Sequence, residues 1–186
     1  APEATAGHAW FGHPALALPR REVVQVDRAW THDPPLIRRI NRLSWELARL
    51  GLPALSLAVA ALGAALLITA HTHTAGALRH LIALPLAWTV TLALPCLAVW
   101  LLKWSLLGRT RAGQHPLWSC WCSRWDFVYV AWAEWATPVL APLEGTLMLN
   151  AWLRAMGVRI GRRVLLGRGA AQVVDPDMLM LAVDAT

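Results

Sequence analysis

Two stretches of the chain carry no charged residue, Leu50 to Ala70 and Leu81 to Leu102. Each can cross about 30 Å of hydrocarbon at about 1.5 Å per residue, so the pattern predicts a hairpin of two transmembrane helices. The competing reading is a pair of buried core helices. Those are usually shorter or keep a polar stripe, whereas these runs keep only Ser56, Thr69, Thr89 and Thr91 as hydroxyl residues. Pro53 and Pro85 are expected in the first helical turn, where a missing N–H is harmless, and only Pro95 is expected to kink its helix.

Before the first run, Leu36, Ile40, Leu43, Leu47 and Leu50 recur at three- and four-residue steps with arginines between them. This spacing predicts an amphipathic helix over 36–49, lying on the membrane surface ahead of the hairpin, which is assigned residues 50–104. Residues 1–35 mix Pro, Gly, His and Ala, with Glu22 to Val26 as the strand-like run, and are read as a linker or tail. His71 to His80, between the spans, is expected to be a solvated turn. Its His-x-His pair is a weak metal signal with no carboxylate or thiol beside it.

After the second span, residues 105–157 are rich in tryptophan. Trp118, Trp125 and Trp132 stand seven apart with Trp121 between them, which predicts an interfacial helix with its indoles at headgroup depth, ended by Pro138 and Pro142. Gly145-Thr146 then opens a helix from about Leu147 to Met156, and Gly157 is a good left-handed cap. From Val158 the pattern changes again. Ile160-Gly161 and Leu166-Gly167 stand six apart, the spacing of a left-handed parallel β-helix, so 158–186 reads as the incomplete start of one. One and a half coils of about eighteen residues cannot cover a solenoid core, and this stretch is expected to be disordered with an open strand edge. The fold class is therefore a mainly α membrane protein: a two-helix hairpin, amphipathic interfacial helices and the first part of a β-helix.

Composition agrees: 57% of the 186 residues are hydrophobic, 15% are charged, and mean hydropathy is +0.45, more apolar than a soluble domain of this size needs. Some fifty residues with seven arginines precede the first run, which excludes a signal peptide. Arg38, Arg39, Arg42 and Arg49 before the hairpin and Lys103, Arg109 and Arg111 after it, against Arg79 alone between the spans, predict a multi-pass cell-membrane protein with both termini cytoplasmic. The net charge of +6 sits beside the spans, where anionic headgroups account for it, so no nucleic-acid partner is expected. Cys96, Cys120 and Cys122 form no even disulfide framework, and the Cys-Trp-Cys lacks a second pair at zinc spacing, so no metal is assigned.

The order Lys103-Trp104, Gly108-Arg109, Gly113, His115-Pro116-Leu117-Trp118-Ser119, Arg124-Trp125, Gly145-Thr146, Leu149-Asn150, Leu153-Arg154, Gly157 and Ile160-Gly161-Arg162 resembles the membrane-bound terminal region of non-ribosomal peptide synthetases of the poly-ε-lysine synthetase type. The resemblance covers about residues 36–186. It implies adenylation and carrier domains elsewhere, a 4′-phosphopantetheine on that carrier and none on this chain, and transmembrane helices alternating with acyltransferase-like β-helix domains. His115, Pro116, Trp118, Ser119, Gly145, Thr146, Arg154, Gly157 and Gly161 match motif positions of unknown role. Asp175-Pro176-Asp177 matches an acidic dyad, and Ala182 stands where the pattern has glycine.

The coils expected to carry acyl-transfer chemistry follow Thr186, and the chain opens on Ala1, so the sequence reads as a fragment without catalytic residues. The expected function is membrane anchoring and docking within an amide-forming, peptide-synthetase-like enzyme, with the lipid bilayer and the other synthetase domains as partners. A stand-alone accessory subunit of a larger membrane complex is the alternative. A complete small acyltransferase would rest on His115 alone as general base.

Overall fold

The computed structural model describes residues 10–11, 16–17, 27–73 and 76–182. The strand-like run Glu22 to Val26 and the Val183 to Thr186 end of the family pattern lie outside the described residues. Two short strands, β1 (Trp10–Phe11) and β2 (Leu16–Ala17), pair antiparallel near the N-terminus.

Helix α1 runs unbroken over Leu36–His73, 38 residues or about 57 Å, and α2 over Ala77–Leu106, 30 residues or about 45 Å. Both are long and apolar enough to cross a membrane, and hardly any of their most apolar windows is buried within the protein. The amphipathic and apolar stretches at 36–49 and 50–70 thus share one rod, about twice as long as a bilayer core is thick. Pro53 consequently lies well inside α1, and Pro85 and Pro95 inside α2, which corrects the first-turn placement of Pro53 and Pro85. The helices also reach into the expected turn, α1 to His73 and α2 from Ala77.

The next element, α3 (Cys120–Ala131), is capped by Ser119, whose hydroxyl accepts from the Cys122 amide at 3.2 Å. Its axis continues through a π turn (Trp132–Ala136) into α4 (Thr137–Leu140), so the helical path passes Pro138, which sits in the first turn of α4. This layer runs alongside α1. Arg42 and Arg49 pair with Asp126 at 2.7 and 3.1 Å, Trp45 packs on Phe127, and the Trp135 indole donates to the Leu52 carbonyl at 3.1 Å. Trp132 and Trp135 are buried in the core with Leu52, Val99, Leu149 and Leu153. Trp132 is thus spent inside the protein while Trp118, Trp121 and Trp125 of the same face stay half-buried; an indole that finds a carbonyl needs no headgroup water for its N–H.

Helix α5 (Leu147–Met156) turns back and ends at Gly157, which has φ +115° as the left-handed cap predicts. Strands β3 (Arg159–Ile160) and β4 (Met180–Leu181) then pair in parallel, Arg159 opposite Met180 and Ile160 opposite Leu181. The described residues contain this two-stranded sheet and no β-helix, and the offset of 21 residues (180 − 159) exceeds the eighteen of an ideal coil. The stretch from Val158 to Leu181, expected to be disordered, is instead docked on the helices, with Val158, Val164 and Ala171 in the core.

Candidate functional site

Docking of that segment depends on polar groups supplied by the helices. Asn150 on α5 donates to the Val164 carbonyl at 2.8 Å, and the Glu144 carboxylate accepts from the amides of Gly169 and Ala171 at 2.9 and 3.1 Å. Trp132 donates to the Ala171 carbonyl at 3.0 Å, Gln172 to the Tyr129 carbonyl at 2.8 Å, and Trp125 to the Asp175 carboxylate at 2.8 Å. Without such partners the backbone of an irregular buried segment would cost about 1–3 kcal/mol per unsatisfied group.

At the centre is a buried ion pair. Lys103, three residues before the end of α2, places Nζ 2.8 Å from Asp177 Oδ2, and the side chains are 2% and 3% exposed. The same oxygen accepts from the Thr110 amide at 2.9 Å and the Thr110 hydroxyl at 3.0 Å. The ammonium also lies 3.4 Å from the centroid of the Trp104 ring, whose N–H donates to the Ala155 carbonyl at 3.0 Å. Burial alone pushes the Asp177 carboxyl up, but the Lys103 ammonium and the two Thr110 donors outweigh it and hold the carboxyl below its ordinary value. A Cβ on Gly157 would meet Asp177 Oδ1, so glycine serves there both the positive φ and the close approach of the carboxylate.

The motif positions fall into two groups. His115, Pro116, Trp118 and Ser119 organise the entry to α3: the His115 ring stacks on Trp121 at 3.8 Å, the Pro116 carbonyl accepts from the Ser119 amide at 3.0 Å, and the Trp118 indole donates to the Thr31 carbonyl at 3.1 Å. Gly145, Thr146, Arg154, Gly157 and Gly161 surround the C-terminal segment. The Gly145 amide donates to the Leu166 carbonyl at 2.8 Å, the Thr146 hydroxyl to the Leu143 carbonyl at 2.6 Å, and Arg154 to the carbonyls of Ile160 and Gly161 at 3.1 Å; the Gly161 amide donates to the Leu181 carbonyl at 3.0 Å. The His115 ring faces an indole, and its backbone carbonyl accepts from the Cys122 thiol at 3.7 Å.

Lys103 and Thr110 were missed as site residues. Lys103 counts first as a membrane-flanking cation, and nothing local ties it to an aspartate 74 positions later (177 − 103). Among the described residues no three His, Cys, Asp or Glu side chains are placed to hold a metal ion. The arrangement is a polar clamp that fastens residues 158–182 to the end of the hairpin.

These features define a helical protein with two potential membrane-crossing helices and a clamped C-terminal segment. The chain is similar to the delta-poly-L-ornithine synthetase of Acinetobacter baumannii (strain AB307-0294), 34% identical over 164 residues. The match takes in 85% of this chain and 12% of the relative, so the chain spans about an eighth of that synthetase's length. No family model matches the chain. No solved structure matches it either.

Proposed function

We propose that this chain is the membrane-inserted docking segment of an amide-forming, peptide-synthetase-like enzyme, in which it locates and orients domains that do the chemistry. The observation that carries this reading is the similarity to a poly-ornithine synthetase over 85% of the chain, a stretch that includes two helices long and apolar enough to span a bilayer. In this reading α1 and α2 form the hairpin with both ends cytoplasmic. The pairs of Arg42 and Arg49 with Asp126 and of Lys103 with Asp177 then lie together at its cytoplasmic end.

The parallel β3–β4 pair supports a β-solenoid beginning here, with β4 offering its free edge to a following coil. The clamp would hold that first rung at a fixed distance from the membrane. Adenylation and carrier domains, with a 4′-phosphopantetheine arm on the carrier, would belong to other parts of the enzyme. This chain supplies no nucleophile or general base in that scheme.

The test is made in bacterial membranes, with Cys96, Cys120 and Cys122 replaced by alanine. The chain should resist alkaline extraction. A cysteine at Thr74 should react with an impermeant maleimide from outside, and one at Gly167 only after permeabilisation. The membrane preparation should form no amide from an aminoacyl thioester. Extraction with alkali, reversed labelling, or amide formation by the chain itself would each refute the reading.

A further inference from the structure

The π turn Trp132–Ala136 directs Trp132 and Trp135 into the core and leaves Glu134, between them, exposed. Such turns are rare inside α-helices and frequent at functional sites. Glu134 borders an apolar groove of about 460 Å³ between α1, α2 and α4. Small residues, Ser56, Ala60, Thr91 and Ala98, line it alongside larger apolar ones such as Leu55 and Leu94. Beside it α1 and α2 come close at Gly63 and Thr91, where a Cβ on Gly63 would strike the threonine.

This groove lies at membrane depth. Its α1 wall begins at Leu55, five residues inside the apolar run, and its α2 wall ends at Ala98, four residues short of Leu102. That places it roughly 6–8 Å or more inside the ends of the spans. A carboxylate bordering hydrocarbon at such depth is costly unless a cation meets it. Among the described residues the Glu134 side chain takes part in no ion pair or hydrogen bond, and the three cations that pair in this region, Arg42, Arg49 and Lys103, serve Glu46, Asp126 and Asp177.

We propose that the groove is a docking site for a further transmembrane helix carrying one basic residue, whose charge pairs with Glu134. The inference rests on the reading that α1 and α2 cross the bilayer. Small wall residues let a helix backbone approach closely, as membrane helix interfaces require. An acyl chain would fill the space yet leave the carboxylate unmet. A second copy of the hairpin cannot be the occupant, because neither apolar run contains Lys or Arg. The partner is therefore another helix with a buried cation about two turns from its membrane end, a pairing that fixes both register and orientation.

The chain is reconstituted in phosphatidylcholine vesicles with benzoylphenylalanine in place of Val139, which lines the groove beside Pro138. Two synthetic Leu–Ala transmembrane peptides serve as probes, identical except that one has a lysine seven residues from its end where the other has leucine. Photo-crosslinking to the lysine peptide should exceed that to the leucine peptide by about tenfold or more, the factor that about 1.4 kcal/mol confers. Glu134→Gln should abolish the difference, and Ala60→Trp, which fills the groove, should suppress both crosslinks.

Circular dichroism of each variant and alkaline extraction of the vesicles are run alongside. A chain that extracts with alkali refutes the membrane reading, and the docking site falls with it. An inserted, helical chain that crosslinks both peptides equally, or whose preference survives Glu134→Gln, refutes the docking site alone.

Discussion

Replacing Asp177 by asparagine tests the clamp most directly, because the side chain keeps its shape and an acceptor for Thr110 while losing the charge opposite Lys103. The ammonium would then stay buried against the Trp104 ring with no counterion. Removing one partner of a buried pair costs about 3–5 kcal/mol, most of it the penalty of the stranded charge. The cost should appear as local opening of residues 158–182, since Lys103 sits on a 30-residue helix and Asp177 on a short irregular segment.

Hydrogen exchange of the chain in lipid nanodiscs reads this opening at the amides of Arg159 and Gly161, which donate to Leu179 and Leu181 at 3.0 Å. Asp177→Asn should raise their exchange by roughly 10²–10⁴-fold. The double variant Lys103→Met/Asp177→Asn removes both charges and should return to within about tenfold of wild type, because a well-packed apolar replacement of a buried pair is close to neutral. Exchange within about threefold of wild type in Asp177→Asn, or a double variant as fast as the single, would refute the clamp.

Acid should act on the same joint: the Asp177 carboxyl lies below its ordinary value in the folded chain, so its contribution is complete above the unfolded value of about 3.9 and is lost as pH falls through the folded value, with protection at Arg159 and Gly161 following that fall. Gly157→Ala should loosen the segment by about 1–2 kcal/mol or more, since it strains a φ of +115° and pushes on Asp177; exchange at the same amides reports it. Ser119→Ala should cost about 1 kcal/mol at the start of α3, visible as faster exchange at the Cys122 amide. Trp135→Phe keeps the ring but deletes the bond to Leu52, and should lower thermal stability by about 0.5–1.5 kcal/mol, measured by circular dichroism in detergent.

What the sequence made legible is what depends on local pattern. An uncharged run of twenty or so residues has few alternatives to a long apolar helix, and Gly157 after a periodic helix announces its own left-handed cap. Helix ends were less legible, because Pro53 and Pro85 resemble first-turn residues wherever the apolar run is taken as the element, while the helices start 17 and 8 residues earlier (53 − 36 and 85 − 77). The burial of Trp132 was not legible for a related reason: periodicity fixes which residues share a face, and only tertiary contacts decide how much of that face meets protein. Lys103 with Asp177 is the extreme case, where two unremarkable charges become a site by meeting across 74 positions (177 − 103). Of the two six-spaced steps, Ile160 lies in a strand and Leu166-Gly167 does not, and Ile160 pairs with Leu181 instead; a pattern of two cannot show that the stretch would rest on helices instead of forming coils.

The tryptophans have a bearing on how such a segment tolerates change. The indoles of Trp100 and Trp104 donate to the carbonyl of Ala155, that of Trp118 to Thr31, that of Trp132 to Ala171 and that of Trp135 to Leu52. Each acceptor is main chain, which every residue type presents in the same way. Substitution at Ala155 or Thr31 can therefore proceed without touching the bond, whereas no other side chain reproduces the reach of the donor. Across these five bonds, replacing the donor deletes the bond, while the accepting position can change as far as its own packing allows; the Trp125 bond to the Asp175 carboxylate differs, being held by side chains on both sides.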